Sequence, residues 1–214
     1  MVDPQLIKTL KEENTNIKLE NSDLKDENSK LWRIIRTLNE LQVNLQVFTT
    51  SSDLLEMVMN ILSIALEAVE SENGSILLLD DDEDELVFIA VVGDRVAELT
   101  DFRIPADSGI AGWVKTHKKA ALVPDVRKDD RWISAVDQSI GFHTQSLMAV
   151  PLILEDRVLG VMEVVNSLSE DHFNDKDLAL LQLVARLASF VFGRTEEVIN
   201  KSEGSKPESS LNKN

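Results

Sequence analysis

Between residues 6 and 45, apolar side chains return every seven residues. Leu10, Ile17, Leu24, Leu31, Leu38 and Leu45 form one column; Ile7, Asn14, Asn21, Asn28, Ile35 and Gln42 form the column three residues before it. Branched apolar residues at this interval occupy the d positions of a heptad, and the second column occupies the a positions. Glu13, Glu20 and Glu27 fall at g, and Lys11, Lys18 and Lys25 fall at e. In a parallel pair each g residue faces the next e residue of the other strand, so Glu13 meets Lys18 and Glu20 meets Lys25. Asn at an a position is tolerated when it meets another Asn across a two-stranded, in-register seam. It weakens the core but penalises trimers and antiparallel pairings. The pattern predicts a parallel homodimeric coiled coil, about 60 Å long at the rise of an α-helix. Its seam would be Leu10, Asn14, Ile17, Asn21, Leu24, Asn28, Leu31, Ile35 and Leu38. A lone surface helix with an apolar stripe needs neither the Asn residues nor the charged columns.

With 214 residues, the chain has room for this coil and one ordinary domain, and 43% hydrophobic content is enough to pack a core. A net charge of −16 argues against nucleic acid as a partner, because phosphate neutralisation needs a basic face. A leucine-zipper transcription factor would need a basic region, and only Lys8 and Lys11 precede most of the heptads. There is no cysteine, which removes disulfides, thiol catalysis and Cys-ligated zinc and fits a reducing compartment. No signal-like or membrane-spanning apolar run is present in the sequence. The expectation is a cytoplasmic protein with no membrane partner, organised as a coil over residues 1–45, a domain over 46–199 and a disordered tail over 200–214.

Past the coil, hydroxyl residues at 49–52 followed by Asp53 and Glu56 predict a helix restart, running over 53–71 and apolar on most sides. Strands follow at 75–79 and 86–92. The six acidic residues 80–85 between them lack the glycine and distal Glu of a calcium loop and read as a solvated hairpin turn. A short strand at 101–105 precedes a capped helix at 109–117, whose small first residues allow close backbone approach and suit an anion. Residues 121–123 form a strand. The polar connection over 125–144, with two short helical stretches, is long enough to be a ligand lid. Strands at 146–154 and 157–166 meet in a tight turn at Glu155 and Asp156. The second is apolar on both faces except at Glu163, so it is central, and its carboxylate is either paired or facing a cavity. A last helix starts at Asn174 or Asp175 and runs to about residue 199.

The order of these elements resembles a GAF domain over residues 38–198, as do Gly109 to Val114, Pro124 with Asp125, Ser146 to Leu152 and Gly160 to Asn166. The resemblance implies an α+β, PAS-like fold: an antiparallel sheet of about six strands with helices on both faces, preceded here by the coiled-coil helix. It also implies a small sensory module that dimerises through terminal helices and binds a cyclic nucleotide or another small molecule. The cyclic-nucleotide signature of phosphodiesterase GAF domains is incomplete. Asn166, Phe173 and Asp177 match it, whereas Ser167 and Leu178 replace its Lys and Glu. That leaves cyclic nucleotide binding open. The cysteines used by methionine-sulfoxide-reducing and bilin-binding members are missing. His117, His143 and His172 are scattered, and no metal-ligand spacing joins them.

Candidate ligand-binding residues are Trp113, Asp125, Asp130, Phe142, Ser146, Met148 and Glu163. Each has a structural alternative: core packing for Trp113, Phe142, Ser146 and Met148, turn capping for the two aspartates, and a salt bridge for Glu163. No acid/base pair, nucleophile set or metal cluster emerges, which argues against an enzyme. Two readings stand. One is a non-enzymatic sensory homodimer whose coil passes ligand occupancy to a downstream signalling protein. The other is a structural adaptor with a vestigial pocket that recruits partners through the coil.

Overall fold

The computed structural model describes residues 4–44, 51–168 and 172–203. The chain divides into two compact units, Met1–Asn44 and Leu45–Asn214. The first is one continuous helix, α1 (Pro4–Asn44). Pro4 suits a first helical position, where its missing N–H has no helical partner to lose. In the single chain the heptad stripe is uncovered: Leu10, Ile17, Leu24 and Leu31 are between 41% and 56% exposed. Asn14, Asn21 and Asn28 share that exposure, and Ile35 is 44% exposed. The Leu38 side chain and all of Leu45 lie outside the described residues, as do Thr49 and Thr50 of the expected helix break.

The second unit opens with α2 (Ser51–Ala68) and continues into the hairpin β1 (Ser71–Asp80) and β2 (Glu85–Val92). The acidic run makes the turn, with Asp80 paired to Glu85 across it. Arg103 donates to both of these carboxylates, at 2.9 and 3.0 Å. Then come α3 (Val96–Leu99), β3 (Arg103–Pro105), α4 (Gly109–His117), β4 (Ala121–Val123), a 3-10 turn (Val126–Lys128) and α5 (Ala135–Ile140). The hairpin β5 (Leu147–Leu154) and β6 (Arg157–Ser167) leads to α6 (Asp175–Glu203).

The six strands form one antiparallel sheet in the order β3-β2-β1-β6-β5-β4. β6 is central, as its two-sided apolar pattern requires. On one face α4 seals Leu77, Phe88, Leu147 and Val161 with Ile110, Ala111 and Val114. The other face lies against α2 and α6, which pack on each other and on β1 and β5. Among the described residues, no helix is long and apolar enough to cross a membrane.

Several elements differ from the sequence expectation. α2 ends at Ala68, and β1 begins at Ser71. The polar start of β1 carries no alternation, yet it is held by β6 through the pairs Ser71–Ser167 and Asn73–Val165. α3 is one turn with no buried residue, so it leaves no apolar period to read. α6 continues to Glu203, through the first residues assigned to the tail.

A candidate ligand pocket

Between the sheet and the connections that cross its α4 face lies a cavity of about 340 Å³. That is within the range of small-molecule sites. Its floor is the middle of the sheet: Ser75 on β1, Leu147 on β5, and Glu163 and Val165 on β6. Phe88 and Phe102 form an edge-to-face pair on one wall, with centroids 6.2 Å apart. The first turn of α4 forms a second wall, where Gly109 has φ +65°. A side chain there would be strained in a conformation that glycine adopts freely. The roof is the 132–144 segment, which contributes Trp132, Val136, Ile140 and Phe142.

The charged residues in this lining are Arg95, Arg103, Asp137 and Glu163, and the first three have partners. Asp137 accepts from the Thr144 N–H at 2.7 Å and its hydroxyl at 2.9 Å, fixing α5 to the start of β5. Arg103 is held by Asp80 and then Glu85, whose hydrogen bonds raise its pKa, while Asp80 is lowered in return. Arg95 lies 3.4 Å from Glu98 and donates from Nη2 to the Gly141 carbonyl at 3.1 Å. Its Nε is buried without a partner.

Glu163 differs from these. Its cross-strand neighbours are Ser75 and Ala149, neither of them charged. Among the described residues its carboxyl forms no ion pair or hydrogen bond. The side chain keeps partial exposure because it faces the pocket, but protein surrounds it on every other side. Burial alone pushes its pKa up from 4.5 to about 7. Of the two sequence alternatives, pairing or a cavity, the structure has the cavity.

Of the seven candidate residues, the structure brings Phe142 and Glu163 together in the lining. Trp113 is half-buried at the margin of the same core, stacked on His117 at 4.6 Å and lying 4.3 Å from the Arg131 guanidinium. Asp125 caps the 3-10 turn and pairs with Arg127 and Lys128. Arg127 holds its carboxyl well below the usual range. Asp130 is exposed. Ser146 is buried, and its hydroxyl accepts from the Ser167 N–H at 3.3 Å. Met148 is fully buried on the strand between Leu147 and Ala149, and so faces away from the cavity.

The residues that match the nucleotide signature do structural work. Asn166 accepts from the Gln145 N–H at 2.7 Å and donates to the His143 carbonyl at 2.9 Å. Phe173 is buried in the core. Asp177 accepts from the Asn174 N–H at 3.0 Å, and Asn174 caps α6 through the Lys176 N–H at 2.9 Å. None of the three lines the pocket. The sequence reading missed Phe88, Phe102, Trp132, Arg95 and Asp137, which come from separate segments with no shared local signal.

A family model described as GAF domain matches residues 51–192. Among curated proteins, the cone cGMP-specific 3',5'-cyclic phosphodiesterase subunit alpha' of Bos taurus is 37% identical over 87 residues, 41% of this chain and 10% of that protein. The chain spans about a tenth of the length of the curated relatives it matches. Among solved structures, the GAF domain of an Acinetobacter phosphoenolpyruvate-protein phosphotransferase aligns with a TM-score of 0.62 at 19% identity, covering 78% of this chain and 96% of that one. Free methionine-R-sulfoxide reductase from Neisseria meningitidis aligns with a TM-score of 0.60 at 22% identity, covering 75% and 89%. At these identities the structural likeness is one of fold.

Proposed function

This chain belongs to the GAF domain family, and from that premise we propose that it is a non-enzymatic sensory module that binds a small molecule. The observation that carries the proposal is the cavity of about 340 Å³, lined largely by apolar and aromatic groups, with the Glu163 carboxyl, unpartnered among the described residues, on its floor. A few convergent polar groups in an apolar pocket are the usual form of a ligand site. An open cavity also favours a sensor over an adaptor with a vestigial pocket. The reductase among the fold neighbours does not extend its reaction to this chain, which has no cysteine for thiol chemistry. Absence of cysteine also suits the reducing cytoplasm.

The heptad helix supplies an outlet for the signal. Two copies would pair in parallel through Leu10, Ile17, Leu24 and Leu31, whose exposure in the single chain favours such pairing. Ligand binding would then change the stability or rotation of the paired helices, and a downstream signalling protein would read that change. A coupling of about 1–3 kcal/mol is enough for such a switch. The test is a thermal-shift panel of cyclic nucleotides and common metabolites on the intact chain; the cone phosphodiesterase is the reason for including cGMP. A shift with any member supports the reading, and silence across the panel refutes sensing. Light scattering on the intact chain tests the dimer, and a monomer at micromolar concentration refutes it.

A further inference from the structure

We infer that the pocket is built for a small organic cation, a protonated amine or amidine carried on an apolar body, which seats on the carboxylate of Glu163. This deepens the small-molecule reading above and rests on it.

Among the described residues, every charged side chain in the lining other than Glu163 has a partner. Arg103 has two carboxylates, Arg95 has Glu98 and a carbonyl for its terminal nitrogens though none for Nε, and Asp137 has both donors of Thr144. Glu163 alone among these has neither ion pair nor hydrogen bond within the described residues. It stands on the central strand with the uncharged Ser75 and Ala149 as its cross-strand neighbours, so neither of them supplies a partner. A buried carboxyl without a partner costs stability, and an apolar residue would pack there without that cost. A group placed so is complementary to something that enters from outside.

Phe88, Phe102, Trp132 and Phe142 present aromatic surface to the same cavity. Aromatic faces attract cations and accept flat apolar bodies. The net charge of −16 raises the local concentration of cations and repels anions. An oxyanion at the floor would meet Glu163 as a like charge.

Seating a cation requires Glu163 to be ionised, so binding below neutral pH releases its proton to solvent. The charged groups facing it across the pocket are the guanidinium groups of Arg95 and Arg103, and Asp137, engaged by Thr144. Burial is what holds the Glu163 pKa at about 7. The apparent affinity for a cation should therefore fall about tenfold between pH 8 and pH 6.

The experiment is calorimetric titration of the full chain with benzamidine, benzamide and benzoate, which share a ring and differ in charge. Benzamidine should bind at least tenfold more tightly than either of the others at pH 8. Glu163→Gln should abolish that preference while leaving benzamide unchanged. The pH series on the unaltered chain is an independent readout should the variant fail to fold. Equal binding of the three probes, a preference for benzoate, or a pH-independent benzamidine affinity overturns the inference. If no probe binds but cGMP or another panel member shifts the melting temperature, the cation inference falls and the sensor reading stands. Silence from every compound refutes both.

Discussion

Replacing Glu163 by Gln should stabilise the ligand-free domain, and by an amount that depends on pH. Gln keeps the shape of the protonated side chain and cannot ionise. In the native chain burial raises the Glu163 pKa to about 7, against 4.5 for the free side chain. Between these values the folded chain binds more protons than the unfolded one, so wild-type stability falls as pH rises through this window. Below 4.5 both states are protonated and there is no penalty; above about 7 both are ionised and the penalty is complete. A shift of this size corresponds to about 3 kcal/mol. For a domain of this size, that is about 6–12 °C in melting temperature. Urea denaturation followed by tryptophan fluorescence, on wild type and variant in parallel at several pH values, reads the effect directly. Other carboxylates titrate in both chains and cancel in the difference. The gap should be smallest near pH 5, widen through pH 6 and level off near pH 8. A gap that does not change with pH, or a Gln variant that loses ground as pH rises, would mean that the ionised carboxylate has a partner after all.

Three other substitutions test the remaining structure. Asn166→Ala removes bonds to the Gln145 N–H and the His143 carbonyl at a residue with φ +59°, and should cost about 2–3 kcal/mol by urea midpoint; Asp, which keeps only the acceptor, should fall between. In Gly112→Ala the new Cβ overlaps the Asp107 backbone, so the melting temperature should drop by the equivalent of about 1–3 kcal/mol; an unchanged value would refute the close approach. Replacing Asn14, Asn21 and Asn28 together by Leu should raise coil stability and let species larger than a dimer appear in sedimentation; an unchanged distribution would show that these residues do not set the pairing.

Much of this fold could be read from residue order because local pattern and tertiary role agree. The helical period of α1, the acidic turn between Asp80 and Glu85 and the two-sided apolar pattern of β6 each carry their own signal for the element they form. Glu163 was legible for the same reason: it interrupts the apolar series of Val161 and Val165 on a strand otherwise fit for burial on both faces. The aromatic walls were not. Phe88 is one apolar residue among many on β2, Phe102 precedes a three-residue strand and Trp132 sits in a polar connection. Only the folded sheet brings them together. On α4, Ile110, Ala111 and Val114 take the inward stripe and leave Trp113 at its edge, which one helical turn of sequence does not resolve.

Met148 shows how little separates a lining residue from a core residue. The turn at Glu155 and Asp156 pairs Leu154 with Arg157, and an unbroken ladder from there would set Met148 opposite Glu163. It would then share the face that lines the cavity. Instead the register shifts by one residue between Leu152 and Ile153. Beyond that bulge Ala149 stands opposite Glu163, and Met148 turns to the other face. The consequence for the site is chemical. A methionine beside the carboxyl would fill the floor and exclude a ligand from it, whereas the Ala149 methyl group leaves the space open. The bulge is therefore part of the pocket, although neither of its residues lines it.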